Sequence, residues 1–100
     1  MTNYNDLAIE GASFFGMSIA LFGKISVKDG VVEQNNFFDY KMTRMKHIPK
    51  INVEIIENNE SPAGVGEPGV PPITPAICNT IFNASGKRVR DLPLSKSFEF

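Results

Sequence analysis

The sequence predicts an α+β fold in a single domain, 1–100: a small, mostly antiparallel sheet between residues 24 and 57, packed by helices at 6–22 and 74–86. Three observations carry this. Residues 6–22, DLAIEGASFFGMSIALF, are apolar on nearly every helical side. Asp29-Gly30 stands between Ile25 and Val27 on one side and Val31 and Val32 on the other, the pattern of a tight hairpin. Residues 74–86 open on Thr74-Pro75 and close on Gly86, a start signal and a stop signal for a helix.

In the first helix, Asp6 is the expected N-cap, and Glu10 sits in the early turns, where negative charge suits the helix dipole. Gly23 is the expected stop. Ala12, Gly16 and Ala20 recur every four residues and form a small-residue strip that lets another backbone approach. A contact within the core and a seam between two copies both fit the strip; most such stripes are core. The hairpin follows, and then 37–49, FFDYKMTRMKHIP, which is irregular. Residues 50–57 alternate Ile51, Val53 and Ile55 with Asn52 and Glu54, the period of a strand with one buried face. Residues 58–72 hold four prolines and three glycines; so long a loop in so small a domain has a function or no order. In the second helix Thr74 is the expected N-cap, Pro75 takes the first helical position, and Ile77, Ile81 and Phe82 face the core.

Composition excludes several function classes. Net charge is −1 with scattered Lys and Arg, so there is no basic stripe for a nucleic acid. The single cysteine, Cys78, rules out an internal disulfide and a cysteine-rich zinc or iron–sulfur site held by this chain alone. The N-terminal residues carry Asp6 and Glu10 and no basic region, unlike a signal peptide. The longest uncharged apolar stretch, 11–23, is too short and too rich in glycine to span a bilayer.

The loop contains Gly64-Val65-Gly66-Glu67-Pro68-Gly69, which satisfies G-x-G-x-x-G. A dinucleotide fold needs a strand running into those glycines and a helix opening from them. Here the strand pattern ends near Glu57, and Pro68, Pro71 and Pro72 block a helix where one is required. The nucleotide reading therefore fails. What remains is a carboxylate on a stiff support. The glycines let the backbone approach a bound group, and Pro68 biases Glu67 toward extended dihedrals. The loop runs into the start of the second helix, where N–H groups favour negative charge. A general base needs a carboxylate held still; on the residues alone an ordinary exposed loop acid is the commoner reading. His47 lacks a partner at metal-ligand spacing, Cys78 reads as a small buried hydrophobe, and Met17, Met42 and Met45 read as packing.

The stretch GVGEPGVPPITPAICNTIFNASGKRVRDLPL, 64–94, resembles the C-terminal end of the large subunit of molybdenum hydroxylases, the xanthine oxidase/aldehyde oxidase family. The isoquinoline 1-oxidoreductase beta-subunit group is the nearest type. Residues 9–57 resemble the segment before that loop, including the Asp-Gly turn and the NFFDY…RM stretch. The resemblance implies that Glu67 is the base beside the molybdenum in water-derived hydroxylation of an N-heterocycle or aldehyde carbon. It implies that Gly64, Val65 and Gly66 line a molybdenum–molybdopterin cofactor, in its cytosine dinucleotide form, with no metal ligand from this chain. Implied partners are the remainder of the large subunit and an iron–sulfur small subunit, in a bacterial cytoplasm or periplasm. A complete large subunit is several times longer, so an expressed fragment, a split-gene product and a gene remnant all fit, and the isolated chain is expected to bind no molybdenum and to be inactive. The rival expectation is a non-catalytic module that self-associates through the helix at 6–22.

Overall fold

The structure, a computed structural model, describes residues 4–100. Its first helix, α1, spans Tyr4–Phe22. It starts ahead of the expected cap, so Asp6 lies in the first turn rather than at the N-cap. Negative charge within the first turn still suits the helix dipole, so the charge preference read from the sequence stands while the cap position does not. The stop at Gly23 holds. Its N–H donates to the carbonyls of Ser18 and Ile19 at 3.0 and 3.1 Å, and a Cβ at this position would fall 2.8 Å from the Ile19 carbonyl oxygen.

A two-stranded antiparallel hairpin follows, β1 (Val27–Lys28) and β2 (Val31–Val32), with Val27 opposite Val32 and Lys28 opposite Val31. Asp29 and Gly30 take φ of 51° and 78°, the pair of left-handed residues that matches a turn to the twist of its strands. Ser26 and Gln34 close the base through two hydrogen bonds, and Glu33 N–H donates to the Ser26 carbonyl.

The sheet ends there, so its extent to residue 57 is corrected. Among the described residues, 50–57 pairs with no strand. Ile51 and Val53 are half-buried and Asn52 and Glu54 exposed, but Ile55 is exposed as well, so the alternation holds over 51–54 and not to Ile55. One covered face is enough to produce that period, but a ladder needs a neighbouring edge, and the two-residue strands of the hairpin do not supply one. The α+β class stands in a reduced form. The helices also pack against each other instead of covering the hairpin, whose Val27 and Val31 are exposed.

The second helix, α2, spans Ile73–Ser85. Pro72, not Thr74, occupies its N-cap position, and Pro75 lies inside the first turn, where a missing N–H costs nothing. Turns built from the prolines start this helix: Ile73 N–H donates to Val70 at 3.4 Å and Ala76 N–H to Pro72 at 3.1 Å. Gly86 closes it at φ 70°, its N–H on the Phe82 carbonyl at 2.8 Å. Ile77, Cys78 and Ile81 pack onto a core of Ala20, Leu21, Phe22 and Leu94. Phe82 stays outside this core, stacked under the Arg88 guanidinium at 3.6 Å. Leu94 arrives from a 3₁₀ turn, Leu94–Lys96, that follows a cis Leu92–Pro93 bond.

The radius of gyration is 16.1 Å. A compact chain of this length would have about 13 Å. The excess matches a core confined to one end of the α1–α2 pair and an apolar surface left open elsewhere. No helix among the described residues is long and apolar enough to cross a membrane.

Candidate active-site loop

The small-residue strip of α1 decides where the loop lies. Ala12, Gly16 and Ala20 are all buried within the chain, which is the core use of the strip. A Cβ on Gly16 would sit 2.7 Å from the Val70 carbonyl oxygen and 3.0 Å from the Ile73 Cβ. A Cβ on Gly69 would sit 2.8 Å from the Ala12 Cβ. Loop and helix thus meet closely at two points, the Gly16 helix backbone against the Val70 carbonyl and the Gly69 loop backbone against the Ala12 side chain, and no larger residue fits either without movement.

That contact holds the residues just after Glu67. Val70 N–H donates to the Glu67 carbonyl at 3.0 Å, closing a turn through Pro68-Gly69. Glu67 is therefore anchored through its backbone while its side chain is exposed and has no hydrogen bond or ion pair among the described residues. Gly64, Gly66, Glu67, Pro68 and Pro71 line an open depression of about 460 Å³; Val65, which is exposed, is not among the lining residues. A Cβ on Gly64 or Gly66 would meet nothing within 4 Å, so their bare backbone faces open space. The expected help from the helix start is small: the Ile73 and Ala76 N–H groups are already bonded and Pro75 has none.

The loop presents an open, glycine-lined surface with a single carboxylate. Among the described residues no group of three His, Cys, Asp or Glu side chains could hold an ion. A lone carboxylate beside glycine backbone suits proton transfer next to a bound group, with the group itself held elsewhere.

His47 is built into the structure differently. Arg44 N–H donates to its Nδ1 at 2.8 Å, and its own N–H returns to the Arg44 carbonyl at 2.8 Å, which closes the 3₁₀ turn Met45–His47. Nδ1 is thus the acceptor, and the neutral ring carries its proton on Nε2, which is buried without a partner among the described residues. The ring lies 5.2 Å from that of Phe22, under which Phe100 packs edge-on at 6.0 Å. Desolvation, and then Lys46, Lys41 and Arg44, hold the His47 pKa below its ordinary value of 6.5. The unfolded chain then binds this proton more readily than the folded one, so the contribution is present above the unfolded pKa and lost as pH falls below it. The thermal midpoint is expected to drop between pH 7.5 and 5.5, and His47→Asn, which keeps an acceptor near Nδ1, should flatten that drop. Parallel curves for the two proteins would contradict this. Ser18 and Thr43, bonded to each other through their hydroxyls, pin the same segment to α1; no sequence pattern pointed to that pair.

Comparison with known proteins supplies what the geometry lacks. The isoquinoline 1-oxidoreductase subunit beta of Brevundimonas diminuta is 40% identical over 86 residues, 86% of this chain and 11% of its own length. The putative xanthine dehydrogenase molybdenum-binding subunit of Escherichia coli K12 is 34% identical over 94 residues, 87% of this chain and 12% of its own length. The chain belongs with these molybdenum-binding subunits. A membrane-bound aldehyde dehydrogenase of Gluconacetobacter polyoxogenes, 38% identical over 85% of this chain and 11% of its own length, is named instead for pyrroloquinoline quinone. No protein-family model matches the chain. The chain spans about a tenth of the length of these molybdenum hydroxylase relatives, and the match runs through helix, hairpin and loop alike.

Proposed function

We propose that this chain forms one wall of the active site of a molybdenum hydroxylase, with Glu67 as its general base and Gly64, Val65 and Gly66 as backbone lining the cofactor. The observation that carries the reading is the placement of Glu67: an unpaired carboxylate on a loop locked by glycine contacts to α1, in a chain related to molybdenum-binding subunits over 86% of its length. The reaction class is replacement of a carbon-bound hydrogen by hydroxyl on an N-heterocycle or aldehyde, with oxygen from water and two electrons leaving the substrate. The bound cofactor supplies Lewis acidity and the two-electron acceptor. Glu67 supplies a carboxylate oxygen that takes up a proton. The turn through Val70 fixes the backbone that carries this carboxylate, and Gly64 and Gly66 allow a bound group to come against the backbone. The remainder of a large subunit must complete the site, so the chain by itself is inactive.

The test is a chimaera in which this chain replaces the matched segment of the Brevundimonas subunit. Glu67→Gln keeps the size of the side chain and removes its basicity. Its molybdenum content should match that of the parent chimaera, and turnover should fall by about 10²-fold or more. In the isolated chain the same change should leave stability within about 0.5 kcal/mol, since an exposed carboxylate contributes little to the fold. Equal turnover with Gln at this position would remove Glu67 from the reaction.

A further inference from the structure

We propose that the exposed face of α1, together with the groove beside it, is the docking surface for the remainder of a molybdenum-binding subunit; this rests on the functional reading above. Tyr4, Leu7, Gly11, Phe15 and Ile19 recur at helical spacing along one stripe of α1. Tyr4, Leu7 and Phe15 are 90%, 54% and 57% exposed. This stripe is distinct from the Ala12–Gly16–Ala20 strip that seats the loop. It runs into a groove of about 460 Å³ lined by Gly11, Phe14, Phe15, Met42, Met45 and Ile48. A continuous apolar surface of this kind is a contact surface. Arg44 borders the groove and Lys46 lies on the adjoining turn, so the partner it fits is an apolar ridge edged with carboxylates.

Two observations favour a long polypeptide over a second copy of the chain. The relatives carry most of their length outside the matched segment. Exposed large apolar residues also lie well beyond the stripe: Val31 on the hairpin, Phe37 and Phe38 after it, and Ile56. One two-fold contact covers a single patch, whereas a long chain wraps several. The radius of gyration, larger than that of a compact chain, agrees with a body completed from outside.

Phe15→Asp tests the proposal by comparing two settings. In the isolated chain position 15 faces water, so helix content and thermal midpoint should stay near those of the parent. In the chimaera the same change should bury a carboxylate and lower the midpoint by about 5 °C or more. An unchanged midpoint in the chimaera would overturn the docking face. As a second measurement, a photoreactive phenylalanine analogue at position 15 is carried by the isolated chain and mixed with the Brevundimonas subunit lacking its matched segment. Crosslinks to that subunit are expected; crosslinks only between copies of the chain would make the stripe a dimer seam, and no crosslink would also overturn the proposal. The Glu67→Gln chimaera separates the two readings. A destabilising Phe15→Asp with Glu67 dispensable would leave docking standing and end the catalytic reading. The reverse pattern would end docking alone.

Discussion

Gly16→Ala is expected to destabilise this protein, and Gly11→Ala in the same helix to stabilise it. Replacing a mid-helix glycine with alanine gains about 0.5–1 kcal/mol by restricting the unfolded chain. At Gly11 nothing lies within 4 Å of the new Cβ, so the gain is expected in full. At Gly16 the Cβ would fall 2.7 Å from the Val70 carbonyl oxygen and 3.0 Å from the Ile73 Cβ. The first of these is backbone and cannot rotate away. Overpacking of this kind costs about 1–3 kcal/mol, which exceeds the helical gain. For a chain of this size each kcal/mol moves the thermal midpoint by about 4–8 °C. Gly16→Leu extends the clash and should detach the loop from α1, which protease cleavage within 58–72 would report. Equal midpoints for the two alanine variants would mean that loop and helix do not meet as described.

Leu94→Ala is the second large effect. Leu94 is 1% exposed and joins the C-terminal turn to Ala20, Leu21 and Phe22. Removing a buried leucine side chain costs about 2–5 kcal/mol through lost transfer energy and the cavity left behind. Small domains have only about 5–15 kcal/mol in total. Among the described residues the buried apolar side chains are Ala12, Ala20, Leu21, Phe22, Pro93 and Leu94, so little else compensates. The variant should lose its cooperative urea transition or shift it far to lower denaturant. Leu92→Ala, two residues away and 41% exposed, should cost less than about 1 kcal/mol. Similar losses at both positions would place the core elsewhere.

The helices, the hairpin turn and the stop at Gly86 were legible in the sequence because each is fixed by local chemistry: apolar spacing, two residues at positive φ, a glycine in the left-handed region. Caps were less legible. Asp6 and Thr74 have the right chemistry, yet helix starts depend on where the chain before them turns, and Pro71-Pro72 set that point for α2. The strand at 50–57 shows the limit most plainly. Its alternation reports one covered face and says nothing about the presence of a neighbouring strand. Glu67 could be singled out from its glycine and proline neighbours, but the sequence strip Ala12, Gly16, Ala20 did not reveal that the loop itself rests there. That contact is long-range, and spacing along one helix cannot name its partner. The Ser18–Thr43 pair escaped for the same reason.

The most direct measurement is made on the tagged chain recovered from its native host: the mass of every polypeptide that co-purifies, with molybdenum counted per chain. The account predicts that the tagged chain is accompanied by, or continuous with, the rest of a large subunit, with close to one molybdenum per chain. Recovery of the hundred-residue chain by itself, stable on dilution and free of molybdenum, would contradict it and leave Glu67 an ordinary loop acid.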